Sequence, residues 1–201
     1  MKDILFLYFN DIGSSGGMSG FELTSQEGLD FVWQYELESK DFSAYKGIIL
    51  SGGVDQILLS KLGERLFSFI NEGGRMFFNG HVEKKFLPML NIYEPITNIK
   101  YPDFAIALLN KHRVYKGLDI ANFNEKKGVA GFYSRGQNPP PNGARIITAI
   151  KQASVPSDWE LILGKGKLYT HAGVDLHIAA SADDTKACME NIIAYLRGED
   201  E

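Results

Sequence analysis

A chain of 201 residues, 44% hydrophobic and 23% charged, fits one domain spanning residues 1–201 with an ample core, and excludes intrinsic disorder. Its 21 basic and 25 acidic residues give a net charge of -4, and the scattered basic side chains predict no nucleic-acid or membrane partner. The one cysteine, Cys188, excludes an internal disulfide and a cysteine zinc site and suits a reducing cytoplasm.

Residues 4–9 form a continuous apolar run, too short for a membrane span and followed by no small-residue cleavage site. It predicts a strand buried on both faces, the mark of a parallel sheet, and no export signal. Residues 13–20, rich in glycine and serine, match neither phosphate-binding motif and predict a flexible loop. Residues 47–50 stop at Ser51-Gly52-Gly53, and residues 75–78 stop at Asn79-Gly80, so two more buried strands end at glycine turns. Between them, Leu58, Leu62, Leu66 and Phe69/Ile70 recur at helical spacing behind an N-cap at Asp55, with Gly73-Gly74 as the stop and Gly63 as the weak point. This βαβ unit places ligands at the carboxyl ends of its strands.

Residues 104–109 and 129–133 read as strands, and so do 144–150 after an extended, exposed loop over 138–143. Residues 161–163 and 167–170 flank Gly164-Lys165-Gly166 as a hairpin. The last helix has capping-box spacing at Ser181 to Asp184 and an apolar face of Cys188, Ile192 and Tyr195/Leu196.

Gly164-Lys165-Gly166-Lys167 lacks the hydroxyl residue of a phosphate loop. His171 and His177 share strand parity, yet in an extended segment they lie roughly 20 Å apart, which predicts no metal site. No cofactor is expected, and His112 is expected at the surface. Asn79-Gly80-His81 follows a buried strand and precedes a possible helix start at Glu83, where α/β hydrolytic enzymes raise a nucleophile. Asn79 is no nucleophile, and the alternative is the turn that Asn-Gly favours.

The order of these pieces resembles the class I glutamine amidotransferase-like superfamily, especially the branch with the trehalose-utilisation type proteins and the amidotransferase-like domain of some β-galactosidases. The resemblance rests on Tyr45 to Gly53, on Phe69 to His81, and on His112-Arg113-Val114-Tyr115-Lys116-Gly117-Leu118, where Arg113 replaces a usual proline. It also rests on Gly164 to Gly173 and on Asn191 to Leu196. It implies a flavodoxin-like three-layer α/β sandwich with a mostly parallel central sheet. A working glutaminase of this family uses an elbow cysteine, a later histidine and a glutamate. Here Phe78 or Asn79 stands at the elbow, and Cys188 reads as a buried hydrophobe. His171 matches the histidine, but Ala172-Gly173 replaces the Pro-Glu that follows it in the family.

The resemblance so altered implies a cytoplasmic pseudoenzyme without glutaminase activity. It would bind a small molecule in a cleft lined by Gly52, Gly53, Asn79, Gly80, His81 and His171, or serve in assembly. The alternative is a hydrolase or other enzyme acting on a carbohydrate or polar metabolite, with His81 or His171 as general base and Asp55, Glu83 or Asp175 as orienter. A third reading is a homo-oligomeric scaffold in contact through Pro139-Pro140-Pro141 and an aromatic surface near Phe132-Tyr133.

Overall fold

The computed structural model describes residues 2–9, 27–126, 129–179 and 184–200. The glycine-rich patch at 13–20 and most of the capping box before the last helix lie outside them. Four strands come first: β1 (Ile4–Tyr8), β2 (Leu29–Trp33), β3 (Gly47–Leu50) and β4 (Arg75–Asn79). Short pieces follow: β5 (Glu94–Pro95), β6 (Ala107–Leu108), β7 (Glu125–Lys126), β8 (Val129–Ala130) and β9 (Gly136–Gln137). Three longer strands complete the set: β10 (Arg145–Ile150), β11 (Val155–Leu163) and β12 (Gly166–His171).

Eight strands form one sheet in the order β2-β1-β3-β4-β12-β11-β10-β6. From β2 to β12 the neighbours run parallel, and from β12 to β6 they alternate antiparallel. The change of direction is the hairpin at Gly164, whose φ of +59° suits a tight turn. The central parallel strands are buried on both faces, as their apolar runs require. Ile4, Phe6, Ile49 and Phe77 point to one apolar layer with Cys188, Ile192 and Tyr195 of the helix Thr185–Leu196. Leu5, Leu7, Ile48, Leu50, Met76 and Phe78 point to the other, with Leu59, Leu66 and Ile70.

The predicted helix after β3 is present but broken into Gln56–Lys61 and Gly63–Asn71. A Cβ on Gly63 would lie 2.5 Å from the Phe86 carbonyl oxygen, so the residue that weakens the helix is the one that lets the 82–90 segment pack against it. Asp55 accepts from the Ile57 and Leu58 amides as the N-cap, and no described histidine is bonded to it.

Several expectations are corrected. Residues 104–109 yield only the two-residue β6, after the 3-10 turn Tyr101–Phe104, and residues 129–133 yield only β8. The chain leaves β8 at Gly131, with φ +69°, and carries Tyr133 into the core, so the aromatic surface expected there is absent at Tyr133. No helix starts at Glu83, because the backbone from 81 to 90 turns repeatedly. Asn138, expected in an exposed loop, is buried. The edge strand β2 has no counterpart among the expected elements: only Leu29 and Val32 of its five residues are buried, too weak a pattern to read as a strand.

Candidate functional site

Parallel strands β3, β4 and β12 end side by side at Ser51-Gly52-Gly53, Asn79-Gly80 and Ala172-Gly173. Of these ends Ser51, Gly52, Gly53, Gly80 and Gly173, with His81, Glu83 and Asp175, line a cleft of about 480 Å³. This is where a parallel α/β sheet offers a ligand its strand ends.

The turn after β4 is built on a close approach. Gly80 has φ +102°, and a Cβ there would stand 2.7 Å from the Gly52 Cα and carbonyl oxygen. Two glycines are needed for the two turns to meet. The Gly80 amide donates to the His171 carbonyl at 2.9 Å, and its carbonyl accepts from Asn138 Nδ2 at 2.9 Å. Asn138 Oδ1 in turn accepts from the Val82 amide at 2.9 Å. Replacing Asn138 with Ala leaves a buried carbonyl and amide without partners and should cost about 3 kcal/mol in urea denaturation. A loss below about 1 kcal/mol would show that the turn is held by other contacts.

Asn79 was expected to line the cleft, and it does not. Its Nδ2 donates to the Leu50 carbonyl at 3.2 Å and its Oδ1 accepts from the Leu176 amide at 3.0 Å, so both ends of the amide tie strand ends to the short helix Leu176–Ala179. Phe78 is equally withdrawn, fully buried against Phe86 at 5.1 Å between ring centres. The elbow conformation belongs to Gly80, one residue beyond both candidates. Gly52 does border the cleft, but its amide donates to Asp175 Oδ1 at 2.6 Å, and Ser51 Oγ donates to Asp175 Oδ2 at 2.5 Å. Asp175 therefore clasps the glycine turn and orients no histidine; Gly53 remains on the rim, with the Phe9 ring lying over it.

The two candidate histidines have different settings. His81 stacks on Tyr93 with ring centres 3.6 Å apart, and its Nδ1 is 3.8 Å from Glu83 Oε1. Burial lowers its pKa and outweighs the opposing charge of Glu83, so it faces the cleft as a neutral imidazole at pH 7.

His171 is fully buried, with Nδ1 2.6 Å from Asp158 Oδ1 and Nε2 without a partner among the described residues. A Cβ on Gly173 would come within 2.7 Å of that Nε2 and 1.8 Å of the Tyr133 carbonyl oxygen. His171 thus lies directly behind the cleft wall, and Ser134 Oγ secures the wall by donating to the Ala172 carbonyl at 2.5 Å.

The partner of His171 escaped sequence reasoning. Asp158 lies opposite it in the β11–β12 ladder and is 0% exposed. Its Oδ2 accepts hydrogen bonds from the hydroxyls of Tyr115, Tyr133 at 2.9 Å and Tyr169 at 2.7 Å. Burial drives all three tyrosine pKa values well above 10, with the Asp158 charge acting in the same direction. The only sequence signal was an acid within the run Val155 to Leu163, and alternation there suggests a solvent-facing side chain.

Two further histidine expectations change. His177 is buried on the short helix Leu176–Ala179, edge-on to Phe6, and His112 has a side chain only 5% exposed, 3.3 Å from Glu160 Oε2. Among the described residues no group of three or more His, Cys, Asp or Glu side chains could hold a metal ion, and no helix is long and apolar enough to cross a membrane.

Sheet and cleft together define an α/β protein with a large, mostly parallel eight-stranded sheet. No protein-family model and no curated protein matches its sequence. Solved structures do match. The cytoplasmic protein STM1381 from Salmonella typhimurium LT2 is similar at 10% identity and a TM-score of 0.59, over 96% of this chain and 99% of that one. The cytoplasmic protein STM3548 from Salmonella typhimurium is similar at 10% identity and a TM-score of 0.62, over 96% and 98%. A beta-galactosidase from Rahnella sp. R3 is similar at 14% identity and a TM-score of 0.52, over 98% of this chain but 32% of that one. At such identities the likeness is one of fold.

Proposed function

We propose that this chain is a cytoplasmic, class I glutamine amidotransferase-like protein without glutaminase activity, which binds a small polar molecule in the cleft at the strand ends. The order β2-β1-β3-β4-β12 of its parallel strands supports a flavodoxin-like sheet, since in chain order it reads 2-1-3-4-5. One observation carries the loss of activity: the elbow residue is Gly80, lodged against Gly52, so no side chain stands where a nucleophile would have to attack. Cys188 is sealed in the apolar layer under the helix Thr185–Leu196.

The cleft keeps Asp175, Glu83, neutral His81 and Gln56, with no Lys or Arg among its described lining residues. That charge balance favours a neutral polyol or an amine over an anion. Calorimetric titration with hexoses, polyols and polyamines should find one class whose affinity drops about tenfold in His81→Ala and in Glu83→Gln, the loss of one polar contact each. Glutamine should release no ammonia. Glutamine hydrolysis that disappears in Cys188→Ala would overturn this reading.

A second reading has its own support in the Asp158–His171 pair, which has the form of an oriented general base whose Nε2 has no partner among the described residues. It requires the wall at Gly173 to move aside, since the ring is fully buried. Turnover of a polar metabolite that falls in His171→Gln while binding persists would favour it.

A further inference from the structure

A second cavity, of about 750 Å³, opens near the opposite edge of the sheet, beside the amino ends of β4 and β12. Its lining contains Lys111, His112, Arg113, Lys116 and Arg145, although the basic residues of the whole chain are outnumbered by acids. Four of these five fall between positions 111 and 116, and the antiparallel strand β10 brings Arg145 to them.

The one acid among the described lining residues, Asp200, is already neutralised. Asp200 receives Arg75 Nη1 at 2.6 Å, Arg75 Nη2 at 3.0 Å and Lys167 Nζ at 3.0 Å, and the Arg75 hydrogen bond leads the effects that bring its carboxyl down to about 2. Among the described residues no carboxylate lies within ion-pair distance of Lys111, Lys116 or Arg145; Arg113 has Glu199 at 3.6 Å. The fixed positive charge is therefore largely uncompensated.

The segment that carries these cations is rigidly held. Asn191 accepts from Arg113 Nη1 at 2.8 Å and donates to the Lys116 carbonyl at 2.8 Å, and Arg145 Nη2 donates to the Lys111 carbonyl at 3.0 Å. His112 and Tyr115 form the floor, one tied to Glu160 and the other to Asp158. Arg113 Nε is buried without an acceptor among the described residues. A donor in that state lacks an oxygen. Leu108 adds an apolar wall.

We propose that this cavity is a binding site for a small phosphorylated molecule, separate from the cleft at the carboxyl ends of the strands. The Arg145 guanidinium fork and the Lys111 and Lys116 ammonium groups, with no described carboxylate within ion-pair distance, match phosphate oxygens, and the volume suits a metabolite. The chain as a whole carries a net charge of -4, which disfavours a nucleic-acid backbone as occupant.

Inorganic pyrophosphate is the probe. Calorimetry at low salt on the full chain should show saturable binding that weakens about tenfold in Arg145→Ala and in Lys111→Ala, and about a hundredfold in the double variant. Both side chains belong to exposed residues, and an unchanged melting temperature verifies that the variants fold. Lys186→Ala, on the exposed face of the helix Thr185–Leu196, should bind as the unaltered protein does. Absence of binding, binding untouched by the double variant, or an equal loss in Lys186→Ala would overturn the proposal. Equal affinity for citrate would overturn the phosphate assignment.

Discussion

Replacing Asp158 with Ala should destabilise the protein by about 4 kcal/mol, the cost expected when one partner of a buried, fully bonded ionic group is removed. The substitution strands the Tyr115, Tyr133 and Tyr169 hydroxyls and His171 Nδ1 in the interior of the sheet face. Tyr133→Phe removes one of several donors and should cost about 1–2 kcal/mol, with the Tyr133 and Asp158 effects not additive in a double-mutant cycle. Urea denaturation at neutral pH measures both. A cost for Asp158→Ala below about 1 kcal/mol would mean that the tyrosines are held by packing alone.

The same cluster predicts an acid limb. Burial alone would raise the Asp158 pKa, but the charge and hydrogen bond of His171 and the tyrosine hydroxyls outweigh it and hold the carboxyl below its ordinary 3.8. Its folded pKa is thus below its unfolded one, and the unfolded chain binds the extra proton as pH falls. The stabilisation is complete above the unfolded value and is lost as pH drops from there through the folded value. Urea midpoints collected from pH 6 downward should therefore decline less steeply in Asp158→Asn than in the unaltered chain.

Gly80→Ala should cost about 3 kcal/mol or more, from two causes that add. A φ of +102° is strained for any residue with a Cβ, and that Cβ would meet the Gly52 backbone at 2.7 Å, where nothing flexible can yield. Gly143 supplies the control: its φ is +84°, and a Cβ there would meet nothing within 4 Å, so Gly143→Ala should lose only the conformational part, about 1 kcal/mol. Equal losses at the two positions would show that the contact between the glycine turns contributes nothing. The Gly80 variant should also lose cleft binding, since both turns form its floor.

Strands β1, β3 and β4 were legible because each is an unbroken apolar run closed by polar or glycine residues, a pattern only a strand buried on both faces requires. The β11–β12 hairpin was legible at its glycine turn, but β11 extends to Val155, because Asp158 and Glu160 sit in the interior with partners supplied by other segments. Sequence position pointed to the strand-end turns, and a cleft lies there. It misjudged which atoms face it: Asn79 and the Gly52 amide are already bonded, and His171 sits behind Gly173.

The residues by themselves determined that no cysteine stands in the turn that closes β4 and that buried parallel strands end in glycine turns, because both are local properties of the chain. Only the tertiary structure decided that Asp175 clasps Ser51, 124 positions away, that Asp158 orients His171, and that Lys111 and Arg145 share a cavity. Local periodicity records which side of an element is apolar, whereas the partner of a buried polar group is set by how distant elements cross, and burial makes that partner obligatory.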